Sequence, residues 1–291
     1  MLRFFVIAIC IAAYLLPSCN PPVRLRPRNV QTGLDSTLYI GIVEHPLSVD
    51  LRTARFLAKI KVGDIGVSLD CRYPDALNHA ADRARSIGGN LLVITEHKQN
   101  NVKSNCHVIR GDIYAAPQLE GMENRMWWHP ARTLLPGDLR GALNQLPQAP
   151  LPPLHTEITC RLGGDFVKTA IIRTETIFYC DSTYLPPAPS QTTLALRRAQ
   201  LHFDLAELHA RRLKAALADL GPNLSALTRQ VRDLTARQQE LLRAEQAAVD
   251  AELSVETSDA ILVRWDTQVK TELSALSPYA GEVLMGLRKR G

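Results

Sequence analysis

Charge imbalance, aromatic residues and long apolar runs are all scarce in this chain, and each scarcity removes a class of function. Its 291 residues carry a formal net charge of only +5, with both signs interspersed throughout. The 3 tryptophans, 7 tyrosines and 6 phenylalanines form no stripe interleaved with basic residues, so no nucleic-acid partner is expected. After the first residues no apolar run is long enough to cross a bilayer. The G-x-S-x-G elbow, the phosphate-binding G-x-x-x-x-G-K and the dinucleotide fingerprint are missing too. Gly63, Gly66, Gly88 and Gly89 read instead as turn and cap glycines.

What is present begins with an export signal. Arg3 precedes the apolar run Phe4 to Leu16, which is too short and too abruptly ended to be a stable membrane span. Leu16-Pro17-Ser18-Cys19 then resembles the lipobox of bacterial lipoproteins, which implies removal of residues 1–18 and lipidation (diacylglycerol and palmitate-type chains) of Cys19. An ordinary secretory signal is the alternative. Each buried methylene would contribute ~0.8 kcal/mol, so several acyl chains hold a protein at a membrane without a span. Asn20 is not aspartate, and the resemblance therefore implies the outer membrane, facing the periplasm. Residues 19–35, including Pro21-Pro22-Val23-Arg24-Leu25-Arg26-Pro27-Arg28, read as an extended tether with basic residues near the headgroups.

With Cys10 lost in the signal and Cys19 lipidated, Cys71, Cys106, Cys160 and Cys180 remain. An even number in an oxidising compartment predicts two disulfides, and four cysteines allow three connectivities. Neighbour pairing, Cys71 with Cys106 and Cys160 with Cys180, keeps each bridge inside one sequence-local domain. Four reduced, buried cysteines are the alternative. No two of them have zinc-ribbon spacing.

The length suits two domains, and the pattern predicts an α+β chain: a small mixed α/β N-terminal domain, then a β-hairpin plus helical-hairpin C-terminal domain. Within residues 36–115, strands are expected at Leu38–Val43, Phe56–Val62, Gly66–Leu69, Leu91–Thr95 and Cys106–Tyr114. A helix is expected over Pro74–Ile87, with Pro74 at its start and Gly88-Gly89 at its end. Residues 116–153 read as a Pro- and Gly-rich linker. In 154–291, strands at His155–Leu162 and Phe166–Tyr179 flank Gly163-Gly164-Asp165, a hairpin turn. Leu220, Leu224, Leu227, Val231, Leu234 and Leu241 then mark one buried helical stripe, broken at Gly221-Pro222 into a helical hairpin. A continuous coiled coil would have to absorb that break. Ser258–Leu276 forms a third helix with Trp265 as core anchor.

The Ala80–Asn90 phrase A-x-x-x-A-R-x-I-G-G-N, a cysteine before the helix, and Asn105-Cys106-His107 resemble small envelope lipoprotein domains, in particular the stress-sensor lipoprotein upstream of the Rcs phosphorelay. That resemblance carries no catalytic residue. Asp75, His79 and Asp82 share a helix face at i, i+4 and i+7, but with Asp64 and Asp70 they read as ordinary solvated charges. His45, His97 and His107 look scattered.

The most chemically suggestive stretch is Arg198-Ala199-Gln200-Leu201-His202-Phe203-Asp204. A zincin helix reads H-E-x-x-H, with two imidazoles one turn apart and a glutamate to deprotonate the metal-bound water. Here Arg198 stands at the first ligand and Ala199 at the general base, and only His202 survives. Trp128, Arg132, Leu134, Asp138, Leu139 and Gly141 match W-x-x-x-R-x-L-x-x-x-D-F-x-G, with Leu139 replacing the aromatic. Together with Phe203, Asp204, Glu207, Val249-Asp250-Ala251-Glu252 and Arg264-Trp265, they resemble a family of uncharacterised secreted bacterial zincin-like proteins whose helix reads H-E-Q-x-H-F-D, over roughly residues 125–280. A further tail histidine is missing, with Val255-Glu256 about there. Thr169, Thr174, Glu175 and Thr176 read as outward side chains.

The expected function is that of a membrane-anchored envelope lipoprotein without catalysis, a binding, assembly or sensing scaffold built on a degenerate zinc peptidase. Its partners are membrane lipid through Cys19 and an unidentified envelope protein. No cofactor is expected, zinc included, and His202 is read as vestigial. The competing expectation is a zinc-dependent hydrolase that regroups His202, His209, Asp204 or Glu207 around a metal. A third is an accessory subunit of an intact homologue. Ala199 cannot act as general base, which favours the first.

Overall fold

The computed structural model describes residues 22–44, 49–63, 72–99, 107–141, 154–164, 169–183, 189–255 and 259–286. Among these described residues two sheets and four α-helices form an α+β fold. Gly66–Leu69, His45, Asp64, Asp70, Cys71, Cys106, Cys19 and the signal lie outside the described residues.

The first unit is a five-stranded sheet of order β1-β3-β5-β4-β2, from β1 (Val23–Pro27), β2 (Gly41–Val43), β3 (Arg55–Val62), β4 (Leu91–Gln99) and β5 (His107–Ala115). All pairings are antiparallel except that of β2 with β4. Alternation decides its faces. Ala58, Ile60 and Val62 of β3 and Ile109 and Ile113 of β5 meet α1 (Tyr73–Ser86) through Ala76, Leu77, Ala80 and Ala84. Pro74 lies in the first turn of α1, and Gly88 adopts φ +82 just past its end, where any side chain would collide with Gln31 and Thr32.

That collision marks a correction to the tether. Val23–Pro27 is an edge strand in full register with Ala58–Val62, and the chain beyond it stays docked, since Gln31 N donates to Ile87 O and Leu34 N to Arg85 O. The proline-rich composition suited an extended chain, and an extended chain beside an open sheet edge pairs with it.

In the second unit β8 (Thr169–Tyr179) is central. It pairs β7 (Thr156–Gly163) along one edge, and on the other β6 (Arg125–Trp127) at one end and β9 (Val283–Gly286) at the opposite end. Gly163 is still paired in β7, and Gly164, at φ +100, leads out of that strand; Asp165 and Phe166, expected in the turn and the next strand, lie outside the described residues. Behind the sheet stand α2 (Pro189–Asp219), α3 (Leu224–Val255) and α4 (Asp259–Ala275). Gly221, at φ +70, ends the turn after α2, and the Asn223 side chain caps α3 by accepting from Ala226 N. The buried stripe of α3 follows Leu227, Leu242, Val249 and Leu253, while Leu241 is exposed. The phase shifts because Gln238 and Glu245 occupy seam positions and bond to α2.

Two further expectations are corrected. The segment after residue 116 is no loose linker: β6 belongs to the second sheet, and Met122, Glu123, Met126, Leu134, Asp138 and Leu139 are buried. Cys160 and Cys180 are free thiols, not a disulfide. Cys160 stands opposite Thr174 in the hairpin, six residues short of Cys180, or about 20 Å at strand rise, and the two thiols pack into different apolar clusters.

Candidate functional site

The residues that resemble the zincin helix cluster in space, held by a buried polar network. Arg198, one turn before His202 on α2, donates from Nε to Asp250 Oδ1 at 2.6 Å and from Nη2 to Oδ2 at 2.7 Å. His202 Nε2 lies 3.1 Å from the same Oδ1 but without the alignment of a hydrogen bond. Burial lowers the His202 pKa, and the neighbouring guanidinium reinforces that against the pull of Asp250. Burial acts to raise the Asp250 pKa, but the two hydrogen bonds from Arg198 and the nearby His202 imidazole outweigh this and hold it at about 2.

Asp250 therefore stands where a third metal ligand would be needed, yet it is fully engaged by a cation. A zinc ion does not fit this arrangement, because the guanidinium already occupies the carboxylate and would repel it. Ala199 is sealed among Met126, Leu134, Leu139, Phe178, Cys180 and Phe203. A glutamate there would face apolar side chains, not a metal-bound water.

The other motif residues attach the preceding segment to this helix. Trp128 Nε1 donates to Asp204 Oδ1 at 2.7 Å, and Gln200 Nε2 donates to the same oxygen at 2.9 Å. Burial raises the Asp204 pKa against those two bonds. Leu134 N donates to Gln200 Oε1. Arg132 donates to Asp138 Oδ1 at 2.9 Å, and both carboxylate oxygens of Asp138 also accept backbone N–H bonds, from Gly121 and Leu135. Gly141 permits a close crossing, since a Cβ there would lie 2.8 Å from the Thr183 carbonyl carbon. Phe203 packs against Phe178, with ring centroids 5.5 Å apart.

The regrouped ligand set does not assemble. Glu207 accepts from Thr176 Oγ1 and Arg211 Nε, Asp204 is held by Trp128, and His209 bonds to Gln238 and Glu245. Among the described residues no three His, Cys, Asp or Glu side chains are placed to hold a metal ion. Thr176 corrects the outward reading: even-numbered residues of β8 face the helices, and Thr176 is buried against Glu207. His97 and His107, which looked scattered, stack at 5.0 Å on neighbouring strands, with His97 Nε2 and His107 Nδ1 2.7 Å apart. Register brought them together, and sequence distance concealed it.

Sequence reading missed the junction between the units. Asp75 of α1 is buried between Arg161 of β7 and Arg173 of β8, at 3.5 and 3.3 Å. This corrects its reading as a solvated charge, whereas Asp82 is exposed and pairs with Arg85. Glu175 also pairs with Arg161. A cleft of about 290 Å³ opens beside this contact, lined in part by Tyr39, Trp127, Trp128, Arg161, Arg173 and Lys214. Lys214 Nζ donates to the carbonyls of Ala280 and Gly281, and burial lowers its pKa. Comparison with known proteins brings no relative to this arrangement: no family model, no curated protein and no solved structure matches the chain.

Proposed function

We propose that this chain is a lipid-anchored protein of the bacterial envelope that binds or assembles and does not catalyse, its second unit a pseudo-peptidase. The observation that carries this reading is the Arg198–Asp250 pair beside His202, with Ala199 sealed in apolar packing. In an active zincin the same positions supply a metal ligand and a general base. Here they supply a cross-link between α2 and α3. The lipobox-like Leu16-Pro17-Ser18-Cys19 supports the anchor. This reading assigns ligand or partner contact to the cleft between the units, where Tyr39, Trp127 and Trp128 lie beside Arg161, Arg173 and Lys214.

Two measurements test it. The full chain, purified without chelator and titrated with zinc, is expected to hold no stoichiometric metal at micromolar concentration. Stoichiometric zinc that disappears in His202→Ala would reinstate the hydrolase. Mass analysis of the N-terminal peptide is expected to find Cys19 as the lipidated first residue. An unlipidated terminus would remove the anchor.

A further inference from the structure

Among the described residues nothing covers half of one face of the first sheet, and that half is basic. Opposite the α1 side, Val43, Leu91 and Val93 are covered by Val49, Leu51, Ala54, Leu119 and Met122. Farther along the same face, beyond Val93, the side chains over the centre of the sheet are mostly charged. Register places Arg24, Lys61 and Arg110 abreast on three neighbouring strands, and Arg26 beside Lys59 in the next row. A groove of about 500 Å³ runs over these five side chains.

Directly opposed like charges in a sheet are destabilising. Arg24 against Lys61 and Arg26 against Lys59 are two such pairs, and among the described residues none of the four has an ion-pair partner. Glu96 is taken up by Lys98 and Arg110, and Asp112 lies opposite Lys59. The five cations outnumber Glu96 and Asp112, so the face keeps a net positive charge.

We propose that this face docks on the anionic headgroups of the membrane that holds the lipid anchor. The inference rests on the anchor reading above for its occupant. Only three residues lie between Cys19 and Val23, the first residue of β1, so the edge strand begins within about 14 Å of a lipidated cysteine. That reach lets the sheet face come within a Debye length of the headgroups, about 8–10 Å, where each cation gains about 1 kcal/mol, or roughly fivefold in binding. Such docking would orient the sheet edge towards the bilayer and relieve the like-charge pairs.

The test uses the unlipidated mature chain, residues 20–291, which contains every described element, in vesicle co-sedimentation. Vesicles of phosphatidylcholine alone are compared with vesicles that also contain phosphatidylglycerol. Binding is expected only with the anionic lipid and is expected to weaken as salt rises. Lys59→Gln with Lys61→Gln should lower it about 25-fold, and Arg24→Gln with Arg26→Gln should do the same through a different strand. Equal binding to both vesicles, no binding to either, or no effect of the substitutions would overturn the proposal and leave the cations as edge-strand guards against aggregation. Displacement by millimolar inorganic phosphate would also overturn it, in favour of a small-anion site. The mass of the Cys19 peptide decides the anchor separately, so an unlipidated chain that still binds anionic vesicles keeps the surface and loses the anchor.

Discussion

The guanidinium of Arg198 grips the carboxylate of Asp250 through two hydrogen bonds, tying α2 to α3 at the level of His202. Planar, bidentate pairing of this kind is geometrically demanding. The contact crosses 52 residues of sequence, and it turns a position resembling a metal ligand into a structural clamp.

Breaking the clamp from one side should be costly. Asp250→Ala removes the carboxylate that takes two hydrogen bonds from the Arg198 guanidinium, a residue only 3% exposed, and is expected to destabilise the chain by about 2–4 kcal/mol in chemical denaturation. Replacing both residues by leucine should recover much of that loss, because paired apolar side chains need no partner. A single variant as stable as the parent would show that the pair contributes nothing.

Arg198→His puts a second imidazole one turn from His202, with Asp250 in reach of both. This variant is expected to bind zinc at micromolar concentration in calorimetry, where the parent does not. Adding Ala199→Glu should abolish soluble expression, since a carboxylate among Met126, Phe178 and Phe203 costs more than about 4 kcal/mol. A well-folded double variant would place residue 199 in a cleft.

Stability should also respond to pH through Glu123. Burial pushes its pKa from 4.5 to about 8 against the opposing pull of Arg132, while Tyr39 Oη donates to Oε1 at 2.6 Å and Oε2, 3.7 Å from Arg132 Nη2, accepts no hydrogen bond among the described residues. The folded state holds this proton to higher pH than the unfolded chain does. Its contribution is complete below about pH 4.5 and is lost as pH rises through about 8. Melting temperature should therefore fall between pH 5 and 8, and Glu123→Gln should flatten that slope. Parallel profiles for the two proteins would count against it.

Cys160 and Cys180 should resist alkylation in the native state and react after denaturation. Burial pushes the Cys160 thiol up to about 11 and that of Cys180 further, so little thiolate exists at neutral pH. Peptide mapping that recovered the two as a disulfide would contradict the hairpin register.

Much of the architecture was legible before any coordinates. The three-four apolar spacing, the Gly221-Pro222 break and the Gly163-Gly164 turn locate helices and a hairpin because they act through local backbone geometry. The sequence by itself also determined which side chains stand at the zincin-like positions, and that Ala199 has no base to offer. Three things only the tertiary structure decided. It gave Arg198 its partner, because Asp250 lies on another helix. It turned the proline-rich tether into an edge strand, because an open sheet edge was waiting for its backbone. It gathered Arg24, Lys61 and Arg110 into one row from three separate segments, which interspersed charge along the chain concealed. Local rules act over a few residues, whereas ion pairs and strand register depend on which distant segments the apolar core brings together.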